Sequence, residues 1–118
     1  MRILGLLFGL SVLAGPLDAG VALTMEAPAV MLAPGHLVVH TLVEPDAANR
    51  AVQVVAESSD FYRSSEVPLD GDSAPRRSRF EFRDLPTGSY EIQAVLLGSD
   101  GQQRALVSRR AEVVGRLR

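Results

Sequence analysis

The sequence predicts an all-β protein, a single antiparallel β-sandwich, on three observations. Short runs rich in Val, Leu, Phe, Tyr and Thr alternate apolar and polar residues at period two. Clusters of Gly, Pro, Asp and Asn break the chain at the spacing of sandwich strands. No segment beyond the first twenty residues keeps a helical apolar period long enough for a helix. The 118 residues hold no cysteine, so one small hydrophobic core without disulfides has to carry the fold.

Residues 1–19 read as an export signal. Met1 and Arg2 form a short positive start, residues 3–14 an apolar run, and Gly15-Pro16 ends it before small residues. Cleavage after Ala19 places Leu17 and Ala19 at the −3 and −1 positions, and cleavage after Ala22 uses Gly20 and Ala22. The run is shorter than the roughly 17–25 residues of a membrane span and ends at Pro16 and Asp18. No Cys follows to accept a lipid, so the expected product is a domain over 20–118 without stable membrane insertion, periplasmic or secreted.

Within that domain, residues 21–25 open as a strand. Pro28 and Pro34 bracket an edge-like piece at 29–32, because proline donates no ladder hydrogen bond. Residues 36–44 place Leu37, Val39, Thr41 and Val43 on one face. Residues 44–49 form a turn through Pro45, Asp46 and Asn49, and 50–58 return with Val52, Val54 and Ala56 inward. A strand near a sheet edge is expected over 60–69, then a loop over 70–75. Phe80 and Phe82 anchor a strand over 77–83, and Tyr90, Ile92, Ala94 and Leu96 share one face of 88–97. Residues 99–102 make a hairpin turn into a last strand over 103–114. About seven strands in a chain of this size match an immunoglobulin-like sandwich.

Composition narrows function. The formal charge is −2 with 12 basic and 14 acidic residues, which leaves no basic field for nucleic acid or anionic lipid. Every basic residue is Arg, which removes Schiff-base chemistry, and the absence of Cys removes thiolate metal sites and cysteine nucleophiles. Residues 20–72 hold two arginines against eight acids, a net of −6, and residues 73–118 nine against five, a net of +4. Interleaved strands would cancel that asymmetry through cross-strand pairs.

The run from Arg79 to Ile92 carries Leu85-Pro86-Thr87-Gly88-Ser89-Tyr90. Pro86 presets φ at a turn, Gly88 permits positive φ, and Tyr90 is placed to bury its ring while its hydroxyl bonds the turn backbone, a tyrosine corner. This L-P-x-G-x-Y run resembles the hairpin of carboxypeptidase-regulatory-like domains and of other bacterial immunoglobulin-like or fibronectin-type-III-like domains. The spacing of Leu and Gly to Tyr fits the regulatory-like pattern better. Glu44-Pro45, Asn49-Arg50 and the run from Glu57 to Glu66 resemble small exported bacterial proteins of unknown function. The resemblance implies a fold and no mechanism.

No catalytic, cofactor or metal residues emerge. His36 and His40 lie four apart in a strand, roughly 13 Å at about 3.3 Å per residue, too far for one ion. Asp70, Asp72 and Ser73 lack the calcium-loop pattern. The serine run Gly9-Leu10-Ser11 lies in the signal, and Leu85-Pro86-Thr87-Gly88 is an incomplete sorting motif in mid-domain. Asp60, Phe61, Tyr62 and Arg63 form the candidate interaction segment, two aromatics beside an Arg. Whether Phe61 and Tyr62 face core or surface stays open at this point. The expected function is a non-enzymatic binding module docking another envelope protein through a sheet edge. A structural accessory domain and a carbohydrate-binding module are the alternatives.

Overall fold

The computed structural model describes residues 22–115. The export signal expected over 1–19 lies outside these residues. Eight strands follow one another: β1 (Leu23–Glu26), β2 (Val30–Leu32), β3 (Gly35–Val43), β4 (Ala51–Ser58), β5 (Phe61–Pro68), β6 (Arg77–Leu85), β7 (Gly88–Leu97) and β8 (Gln103–Val114). They form a three-stranded sheet, β1-β3-β6, and a five-stranded sheet, β2-β8-β7-β4-β5. Two sheets in this order make an immunoglobulin-like sandwich.

Period-two alternation sets which face each strand buries. Leu37, Val39, Thr41 and Val43 of β3, Phe80 and Phe82 of β6, Val52, Val54 and Ala56 of β4, and Tyr90, Ile92, Ala94 and Leu96 of β7 meet between the sheets. Leu23 and Met25 of β1 and Ala105, Ala111 and Val113 of β8 complete the core. The sequence pattern marked most of these positions because each strand has one wet face, which writes the alternation into the residues.

The piece bracketed by Pro28 and Pro34 is an edge strand as expected: the chain leaves the small sheet after β1, joins the edge of the large sheet at β2 and returns at β3. The described residues hold eight strands against the expected seven or so, and β2 pairs with β8 in parallel, the one parallel ladder among them. The left-handed residue of the β6–β7 corner is Asp84 (φ 61), while Gly88 has φ 159, close to extended backbone. Asp tolerates that conformation through its short polar side chain. Asp84 sits where the β3–β6 register shifts, Leu37 facing Phe82 but Gly35 facing Leu85. The extra residue on β6 is a β-bulge, and it brings Leu85 back into the core after the alternation of Phe80 and Phe82.

The arginine-rich and acid-rich halves interleave. Arg77 pairs with Glu26 at 3.3 Å, Arg76 with Glu44 at 3.7 Å and Arg104 with Asp46 at 3.3 Å. On the outer face of the small sheet Glu81 contacts the His36 ring, Arg79 at 3.2 Å and Arg83 at 2.9 Å.

Candidate functional site

The β4–β5 hairpin turns at Ser59 and Asp60, with Ser58 opposite Phe61, and carries the candidate segment to the end of the sandwich where β7 begins. Phe61 lies on the inner side of β5, in line with Ala56 and Val54 of β4, and is half-buried. Its ring meets Tyr90 edge to face, centroids 6.2 Å apart at 77°. Tyr90 is fully buried, and its hydroxyl donates to the Pro86 carbonyl at 2.7 Å. Burial pushes the Tyr90 phenol above its ordinary pKa; the Ser58 hydroxyl opposes this and the nearby Asp60 charge adds to it. The interaction segment and the corner, chosen from the sequence on separate grounds, are thus one cluster. Leu85, buried, packs in the core, and Gly88 leaves room beside Ser58 and the Tyr90 ring.

The sheet divides the remaining pair. Arg63 faces inward on β5 and lies over the Phe61 ring, 5.2 Å from its centroid. It stays exposed because the three-stranded sheet is narrower than the five-stranded one and does not reach over β5. Tyr62 points to the opposite, outer face with 59% of its surface accessible. Phe61 therefore belongs to the core margin and Tyr62 to the surface, and Tyr62 and Arg63 do not address a ligand from the same side.

The backbone of β5 is the larger feature. Among the described residues β5 pairs only with β4, over eight unbroken positions from Ala51–Pro68 to Ser58–Phe61. The Leu69 N–H donates to the Arg50 carbonyl at 2.7 Å. Antiparallel ladders alternate, so the odd-numbered residues of β5 aim their backbone groups at β4, and Tyr62, Ser64, Glu66 and Pro68 aim theirs at the open side. The other edges are guarded. β1 and β2 are four and three residues long, and β6 carries Arg77, Arg79, Glu81 and Arg83 and the bulge at Asp84. β5 has Arg63, Glu66 and, at its very end, Pro68.

The opposite end of the sandwich holds a polar cluster that the sequence did not reveal. Asn49, 1% exposed, donates to the Glu44 carbonyl at 3.0 Å and accepts from Arg104 at 2.8 Å. Its backbone carbonyl accepts from Gly71 N–H at 3.1 Å. Arg104 stands at the β7–β8 register shift, and its stem lies across Gly98, where a Cβ would come within 2.9 Å of Arg104 Cδ. The same guanidinium reaches Asp46, whose pKa is lowered first by the Ala48 N–H bond and then by Arg104. The Asn49 and Arg104 side chains thereby tie the 44–49 turn to the start of β8, and the Asn49 backbone carbonyl adds the loop at Gly71. Asn in a turn and Arg in a strand are too common in sequences to signal this pairing. A shallow hollow of about 430 Å³ lies beside it, lined by Arg50, Glu66, Leu97 and Asp100 among others. The Arg50 guanidinium there is already engaged by the Ala47 and Asn49 carbonyls, both at 2.7 Å.

Among the described residues no group of three or more His, Asp or Glu side chains is placed to hold a metal ion. His36 lies against Glu81, and His40 sits between Glu26 and Arg79 in the ladder. No described helix is long and apolar enough to cross a membrane.

No protein-family model matches the chain, and no curated protein is similar to it at a significant level. Solved structures are similar in fold. The CARDB domain of the PF1109 protein from Pyrococcus furiosus, solved in complex with di-metal ions, is 17% identical with a TM-score of 0.52 over 80% of this chain and 93% of that one. A family 76 glycoside hydrolase from a bovine Bacteroides thetaiotaomicron strain is 14% identical with a TM-score of 0.53 over 76% of this chain. The match spans 20% of the length of the hydrolase chain.

Proposed function

We propose that this chain is an exported, non-enzymatic binding module of the bacterial cell envelope, periplasmic or secreted, that docks another envelope protein as an added strand along β5. We place it with the exported immunoglobulin-like domains of the carboxypeptidase-regulatory-like kind. The observation that carries the reading is the β5 edge, eight residues long, unbulged and uncovered among the described residues, where β1 and β2 are short and β6 is bulged and carries Arg77, Arg79, Glu81 and Arg83. Outward backbone groups of Tyr62, Ser64 and Glu66 supply affinity, and Tyr62 on the outer face supplies specificity. A sugar platform fits less well, because among the described aromatic residues only Tyr62 is exposed.

Two measurements test the proposal. Immobilised protein challenged with its own envelope extract should retain a defined protein that a Ser64→Pro variant does not. Equal retention by both overturns the edge as the binding surface, and retention of glycan alone overturns the protein partner. Export predicts an intact mass for periplasmic or secreted material that begins near Gly20 or Leu23; full-length protein alone in the membrane fraction overturns it.

A further inference from the structure

We infer that the β5 edge is self-complementary and that its occupant is a second copy of this chain, paired antiparallel about a two-fold axis at Ser64. The inference rests on reading β5 as a binding edge and goes beyond it: a second copy occupies the edge when no envelope protein does. Two copies of a strand joined in one continuous sheet by a two-fold axis keep their faces, so residues that oppose each other have the same parity. The outward backbone groups belong to even-numbered residues, as the Leu69–Arg50 bond fixes. An axis at Ser64 sets Ser64 opposite Ser64 of the second copy and Tyr62 opposite Glu66 of the second copy, so every outward N–H of β5 finds an outward carbonyl. Pro68, with no N–H to give, is left outside the pairing.

The side chains favour the same register. On the inner side Phe61 comes opposite Val67, and Arg63 opposite Ser65. On the outer side two small serines meet at the axis, and the Tyr62 hydroxyl lies opposite the Glu66 carboxylate. No charge faces its like. An axis at Glu66 would oppose two carboxylates and ask Pro68 to donate, and an axis at Ser65 would put Arg63 against Val67. An isologous pair built this way joins the two large sheets into one and covers the long edge that the described residues leave open.

Sedimentation velocity on the purified protein over a concentration series tests this. The expected result is a monomer–dimer equilibrium that Ser64→Pro abolishes with an unchanged far-UV spectrum, since the Ser64 N–H points away from β4. Ser64→Glu, which sets two carboxylates at the axis without touching the backbone, should abolish it as well. The sequence has no cysteine, so Ser64→Cys reports the axis directly. Opposed Cα atoms about 5.5 Å apart are within disulfide reach, and oxidation should cross-link this variant faster than Ser65→Cys. A wild-type protein monomeric at every concentration, a dimer that survives both Ser64 variants, or preferential cross-linking through Ser65→Cys overturns the proposal. A monomeric protein that still retains an envelope protein in a Ser64-dependent way overturns self-pairing and leaves the edge reading standing. A Ser64-dependent dimer that retains nothing else upholds self-pairing through β5 and overturns the docking of another envelope protein there.

Discussion

The two ends of the sandwich are closed by different chemistry. At the end where β7 begins, the Tyr90 ring fills the space between the sheets, Phe61 leans on it, and one hydroxyl fixes the Pro86 corner. At the end where β7 finishes, the buried Asn49 amide and the Arg104 guanidinium join two loops, and the Asn49 backbone carbonyl holds a third. An apolar plug loses stability in proportion to what is cut from it. A polar tie with exposed partners loses the net worth of its bonds, since water reaches the Glu44 and Arg104 groups left behind and Arg104 keeps Asp46. The comparison predicts that ring deletion at the first end costs clearly more than amide deletion at the second.

Tyr90→Ala should destabilise by roughly 3–5 kcal/mol, the range for a large ring removed from a core. Asn49→Ala removes two side-chain hydrogen bonds, to the Glu44 carbonyl and from Arg104, whose free ends water can reach, and a loss of about 1–2 kcal/mol is expected. Urea unfolding of both variants measures the pair. An Asn49→Ala protein within about 0.5 kcal/mol of wild type, the scale of an ordinary surface change, would show that the loops hold without the tie.

Tyr90→Phe isolates the hydroxyl at the first end and should cost about 1 kcal/mol, the usual net worth of a neutral hydrogen bond. Tyr62→Ala is smaller again. The ring stands on the outer face, so its stability should stay within about 0.5 kcal/mol of wild type. Thermal melts separate the two aromatic positions, and a collapse of Tyr62→Ala would place that ring in the core.

The same comparison explains what could be read in advance. Strands β3, β4, β6 and β7 announced themselves because one wet face and one dry face produce alternation, and the Leu85-Pro86-Thr87-Gly88-Ser89-Tyr90 run announced the corner because a turn and a buried ring need particular residue types in order. The parallel β2–β8 ladder stayed hidden, since a three-residue strand has too few positions to show a period. The Asn49–Arg104 tie stayed hidden because its partners are 55 residues apart and neither type is unusual where it stands. At the candidate segment, periodicity offered two faces for Phe61 and Tyr62. The pairing register decided between them by placing Phe61 beside the core and Tyr62 outside.

The smallest expected effect is the dependence on pH, and it differs in sign between the two ends. The Asp46 carboxyl titrates below its ordinary value because Ala48 and then Arg104 bond its charged form. A group depressed by folding contributes stability that is present above its unfolded pKa and lost as pH falls through the folded one. Acid should therefore loosen the Asn49 end, and Glu81, lowered chiefly by His36 and further by Arg79 and Arg83, adds to the same limb. Tyr90 is shifted the other way by burial, so its contribution is present below the unfolded value of about 10 and lost as pH rises through the folded one. Urea midpoints across the pH range should fall at both extremes, with Tyr90→Phe flattening only the alkaline limb. Asp46→Asn should shrink the acid limb without removing it, because Glu81 remains. An alkaline limb that persists unchanged in Tyr90→Phe would mean that the phenol does not titrate with unfolding, and the buried corner would then contribute through packing alone.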